Sequence, residues 1–213
     1  MAVTDGFQAV LRQFAPATSG RLDESGFLLV GATAGLLGWG GAQILAWGDV
    51  PGSAVAATVL WMALITTFSG LTVLHGPDAV RFSDAMLGWG AVNGTAMALT
   101  VGGLAGLVPP RLAFWSAWVG AAALGYLSTG GLLVRAGAGR RGWGYLAAGG
   151  VAFSVLALGA VDFEGVAPVA FLLLATLHAV PLVLDAETAL SAFARGVVLA
   201  LVVCALVGVG LAV

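Results

Sequence analysis

The chain has 213 residues, 60% of them hydrophobic and 8% charged, with a net charge of −2 and a mean hydropathy of +1.05. Soluble domains carry about 25% charged residues, so this composition belongs in lipid, and the lack of any basic run argues against nucleic acid as a partner. All eight cations are arginine, and a seven-helix chain without lysine cannot form the Schiff base by which a retinal protein holds its chromophore.

Residues 1–26 carry Asp5, Arg12, Arg21, Asp23 and Glu24 and lack the continuous apolar core of a signal peptide. Phe7, Val10, Leu11 and Phe14 recur at helical spacing before Pro16. This predicts a cytoplasmic N-terminal segment containing a short amphipathic helix at the headgroups.

Residues 27–213 predict a transmembrane bundle. A hydrocarbon core about 30 Å thick needs about 20 apolar residues per helix, and seven such spans fall at 27–47, 52–75, 84–107, 112–135, 142–161, 165–185 and 191–213. With an odd number of spans, the N-terminus and the loops after the second, fourth and sixth lie on one side. They hold Arg12, Arg21, Arg81, Arg135, Arg140, Arg141 and Arg195, against Arg111 alone on the other. Because Lys and Arg are retained on the cytoplasmic side, the fold class is an all-α integral membrane protein with seven transmembrane helices, N-terminus cytoplasmic and C-terminus outside. The expected location is the cell membrane, multi-pass. The one cysteine, Cys204, lies in the last span and can make no intramolecular disulfide.

Aromatic belts at the interfaces fit this topology: Trp47, Trp115 and Trp118 fall near the outer boundary, and Trp89, Trp143 and Tyr145 near the inner one. Trp39 and Trp61 sit deeper and read as packing between helices. The tripeptide Gly-Trp-Gly recurs at 38–40, 88–90 and 142–144, which suggests three helical hairpins plus a seventh helix, although the copies differ in depth. Gly31 with Gly35, and Gly90 with Gly94, are GxxxG pairs that let helix backbones approach. Such Gly and Ala faces suit a compact bundle, a homo-oligomer or partner membrane subunits.

No Asp, Glu or Arg lies in the interior of a span, which counts against a pump built on intramembrane carboxylates. The polar residues that do fall inside cluster toward the cytoplasmic ends: Ser69 and Thr72, Asn93, Ser128 and Thr129, and His178. They are candidates to line a cytoplasm-facing cavity. The alternative is that the hydroxyls bond their own i−4 carbonyls and Asn93 holds a helix pair together. In the second span Thr66, Ser69, Thr72 and His75 form a winding polar ridge that ends at His75-Gly-Pro-Asp78. On the sixth, Pro181 frees the carbonyl of Leu177 beside His178.

The leading functional reading is a small permease or channel-like transporter of a small solute, with no enzymatic activity and no cofactor. Two alternatives come from other classes. One is a non-catalytic membrane subunit of a larger complex. The other is a membrane enzyme or electron carrier holding zinc through His75, Asp78 and His178, or a haem between the two histidines. Neither HExxH nor HxxxH spacing is present.

Overall fold

The computed structural model describes residues 22–47 and 50–180, and within them the protein is helical throughout, with no strand. The helices are α1 Glu24–Trp47, α2 Ser53–His75, the single turn α3 Asp78–Arg81, α4 Asp84–Leu104, α5 Ala117–Arg135, α6 Gly139–Val161 and α7 Phe163–Leu177. A π-helical turn, Leu112–Ser116, leads directly into α5. The predicted seventh span, Cys204 and the 1–21 part of the N-terminal segment lie outside the described residues.

Among the described residues four helices are long and apolar enough to cross a membrane: α1, α2, α5 with its π-helical lead, and α6. The helix α4 has the length, 21 residues, but five glycines, Asn93, Thr95 and Thr100 dilute its apolar character. α7 is apolar and 15 residues long, and residues 181–185 of the expected 165–185 span lie outside the described residues. Its end is tightened by i−3 bonds, His178 N–H to Ala175 O and Ala179 N–H to Thr176 O, the usual way a last turn closes.

Local chemistry sets the turns. Ser83 Oγ accepts from Met86 N–H at the start of α4, and Asp162 Oδ1 accepts from Gly165 N–H at the start of α7. Both α4 and α5 end in the same way. Gly106 and Gly137 adopt positive φ (73° and 82°), and the next residue's N–H reaches back to the carbonyls of Gly102 and Leu133. This Schellman closure needs a left-handed residue, which glycine supplies without strain.

The helices form a ring in which α2 packs on α1, α1 on α7, α7 on α6, α6 on α5 and α5 on α4, with a lighter contact from α4 back to α2. The α5–α6 pair is the most extensive. Its backbones meet at glycine: a Cβ on Gly130 would lie 2.7 Å from Leu146 N, one on Gly142 2.7 Å from Val134 N, and one on Gly149 2.8 Å from Leu127 N. Small-residue contact of this kind is how helices associate where no hydrophobic effect drives them.

The GxxxG expectation fares differently. Gly31 and Gly35 do not meet another backbone; Gly31 faces the Phe68 ring and Gly35 the His178 imidazole. Among the described residues, a Cβ on Gly90 or Gly94 would meet nothing within 4 Å. The aromatic belts also need correction, since Trp115 and Trp118 are buried in the core and Tyr145 is buried as well. An indole has a large apolar face, and these pack on rings and on Gly159 instead of facing lipid. Trp143 is exposed, as a belt residue should be. The three Gly-Trp-Gly tryptophans thus occupy three environments: Trp39 buried, Trp89 half-buried and Trp143 on the surface.

Candidate functional site

Between α1 and α2 on one side and α4 and α5 on the other lies a cavity of about 570 Å³. Its wall on α2 is Trp61, Leu64, Ile65 and Phe68. Position along the bundle can be counted at ~1.5 Å per residue from the end where α1 begins. Three levels emerge.

At the mouth are Glu24, Asp84 and Arg141, where α1, α4 and α6 begin. Arg141 Nη2 donates to Glu24 Oε1 at 3.0 Å and so ties α6 to α1. Leu22 N–H donates to the His75 carbonyl at 2.9 Å, which fixes the end of α2 to the same level.

Roughly 13–17 Å further in lies a polar level made of Asn93, Tyr126 and His178. The Tyr126 hydroxyl and His178 Nδ1 are hydrogen-bonded at 2.7 Å, and the same nitrogen is 3.0 Å from the Leu174 carbonyl oxygen. The imidazole reaches this place because Gly35 has no side chain; any Cβ there would overlap the ring. Trp89 Nε1 donates to Thr129 Oγ1 at 3.1 Å, and the Trp89 ring lies on Gly125, edge-on to Tyr126. The Asn93 carboxamide makes no side-chain hydrogen bond among the described residues.

Roughly 20 Å in, aromatic rings close the floor. Trp39 and Trp61 meet edge to face with centroids 4.9 Å apart, and Trp61 stacks on Trp118 at 4.9 Å and 21°. Trp61 needs Gly38, over which its ring lies. Trp118 Nε1 donates to Thr100 Oγ1 at 2.8 Å, but Trp39 Nε1 is buried with no partner. An unsatisfied buried N–H costs about 1–3 kcal/mol. Beyond the floor, Arg111 Nη2 donates to the Gly159 carbonyl and its guanidinium lies 4.5 Å from the Phe163 ring centroid.

The structure therefore brings together three of the six cavity candidates: Asn93, Thr129 and His178 line the cavity. Ser69 and Ser128 are exposed and lie outside the lining, and Ser128 Oγ donates to the Gly125 carbonyl. Thr72 is buried but donates to its own i−4 carbonyl, Phe68 O, at 2.7 Å. Thr66 is exposed too, so the first half of the ridge on α2 turns outward, and no ridge residue is in the cavity lining. A pattern of every third residue winds around a 3.6-residue helix and cannot keep to one face.

His75 and Asp78 lie at the α2–α3 junction, outside the cavity lining. Asp78 accepts from Arg81 Nη2 at 2.8 Å. His75 is level with the start of α1 and His178 with Gly35, a separation on the order of 15 Å along the bundle. One ion ligated by both imidazoles would need them within about 5 Å of each other, so the expected pairing of the two histidines is not made. Among the described residues no group of three or more His, Cys, Asp or Glu is gathered as a metal site.

Sequence reasoning missed Tyr126, placed with no role, and Gln43, which is buried and accepts from Phe171 N–H at 3.2 Å to hold α7 on α1. A lone glutamine deep in an apolar span was the available signal, since buried amides are rarely left unpaired. The chain matches no known family model, no curated protein and no solved structure, so the cavity itself has to carry the functional argument.

Proposed function

We propose that the protein is a multi-pass membrane protein of the seven-span, N-inside topology whose cavity is the cytoplasm-facing half of a path for a small solute. The single observation that carries this reading is the cavity's lining, which runs from Glu24, Asp84 and Arg141 at the arginine-rich end, past Asn93, Tyr126 and His178, to Trp39 and Trp61 at mid-bundle. A cavity that reaches from one end of the bundle to its middle is what a permease resting in one of its states presents. Binding near mid-bundle also fits the depth at which transporters hold their cargo.

The test needs no substrate. In a Cys204→Ala background, Asn93→Cys and Ala122→Cys are probed with a membrane-impermeant maleimide from each side of oriented vesicles. Asn93→Cys should label from the cytoplasmic side, and Ala122→Cys, at the floor, from both. Labelling of both positions from the cytoplasmic side only would make the cavity a dead-end pocket and rule out transport.

A second reading is favoured by one specific observation. On α4 the residues Gly90, Ala91, Gly94, Thr95, Ala98 and Val101 are all exposed along one face, and a Cβ at Gly90 or Gly94 would meet nothing. Such a face suits a second copy or a partner membrane subunit. Mass measurement in native-like nanodiscs decides it: a monomer without bound protein would count against it.

A further inference from the structure

We propose that the deep part of the cavity binds an uncharged, planar aromatic solute carrying a hydrogen-bond acceptor at its edge. This rests on reading the cavity as the functional site, and it names the ligand class.

The walls select for a flat ring. Trp39, Trp61, Trp89 and Tyr126 all line the cavity, and ring pairs among these residues, Trp118 and His178 already stand at centroid distances of 4.9–6.4 Å. That is the spacing at which stacked and edge-to-face aromatic contacts are favourable. Phe27 and Phe68, themselves 5.2 Å apart, continue the aromatic lining toward the mouth. The volume lies in the range of pockets that enclose small organic ligands.

The uncommitted polar group selects the edge. Trp89 Nε1 is given to Thr129, and the Tyr126 hydroxyl to His178. Open to the cavity at this depth is the Asn93 carboxamide, which makes no side-chain hydrogen bond among the described residues. Its NH2 group donates, and the complement of that donor is a carbonyl or ether oxygen.

Charge is selected against. The carboxylates and guanidinium lining the cavity, Glu24, Asp84 and Arg141, are all at the mouth, and Glu24 is paired with Arg141. Among the described residues no Asp, Glu or Arg lines the deeper levels. An ionised solute there would lose its hydration with no counter-charge in return, and cation–π attraction to the rings offsets only part of that loss.

The experiment compares four probes that share one ring system: 2-acetylnaphthalene, 2-ethylnaphthalene, 2-naphthoate and 2-naphthyltrimethylammonium. Binding is measured by equilibrium dialysis against the full-length protein in nanodiscs, with protein-free nanodiscs as the baseline for partitioning into lipid. Saturable binding of 2-acetylnaphthalene about tenfold tighter than 2-ethylnaphthalene is expected, with both charged probes weaker than either. Asn93→Leu should bring the two neutral probes to within about twofold of each other. A charged probe binding tightest, equal affinity of the two neutral probes for the unmodified protein, or no saturable binding overturns the proposal. The preference surviving Asn93→Leu overturns it as well. Selective binding together with one-sided maleimide labelling would leave the ligand class standing and remove transport, so the two failures are told apart.

Discussion

Glycine does opposite work in the two halves of this molecule. Along α5 and α6, Gly130, Gly142 and Gly149 let one helix backbone lie against the other, and the interface is sealed. Around the cavity, Gly35, Gly38 and Gly125 instead open recesses that admit the His178, Trp61 and Trp89 rings. The first use makes a rigid wall; the second holds large side chains in place while keeping the backbones apart, and the space left over is the cavity. A residue chosen for its lack of a side chain is therefore read from what occupies the vacated volume.

The comparison is broken most sharply by substitutions in the sealed half. Gly149→Val would drive its side chain into the Leu127 backbone, which cannot give way, and should cost ~3 kcal/mol or more through overpacking, seen as a large drop in melting temperature in detergent. Retention of the unmodified melting temperature would show that α5 and α6 do not meet there.

In the cavity half the same kind of change should spare the fold and disturb the site. Gly35→Ala collides with the His178 imidazole; the ring must rotate away and leave Tyr126. About tenfold weaker binding of 2-acetylnaphthalene is expected, on the scale of one lost neutral hydrogen bond and some ring contact, with a melting temperature lowered far less than in Gly149→Val. Equal loss of stability in the two variants would erase the distinction between the halves.

Tyr126→Phe isolates the hydrogen bond, removing only the hydroxyl that meets His178 Nδ1. About 1 kcal/mol of stability should go with it, measured by chemical denaturation in mixed micelles. A neutral result would mean that the Leu174 carbonyl alone suffices to orient the imidazole. Smallest of all is Gly94→Ala on the open face of α4, where nothing lies within 4 Å. Within one copy it should stabilise by roughly 0.5–1 kcal/mol, the helix-propensity gain over glycine. Dissociation of an oligomer by the same change would show that a partner helix occupies that face.

Much of the helix layout was legible because it depends on chain-local quantities. Five predicted spans, at 27–47, 52–75, 84–107, 112–135 and 142–161, match α1, α2, α4, α5 with its lead, and α6 to within three residues at each end. The site was half legible. Run length set Asn93, Thr129 and His178 inside apolar spans, and all three are in the cavity lining; helix rotation could not be counted, and Ser69 and Ser128 turned outward. In a chain where nearly every residue is apolar, no periodicity separates the face toward lipid from the face toward a neighbour.

By itself the sequence determined that this protein is helical, apolar and asymmetric in arginine, because composition, run length and charge count are sums along the chain. Only the tertiary structure decided that Tyr126 meets His178, that Gly35 makes room for the imidazole, and that three tryptophans from α1, α2 and α5 close a cavity. Each of those contacts joins residues 22 or more positions apart, and each depends on how helices are rotated about their own axes. That rotation is set by the fit of large rings against missing side chains.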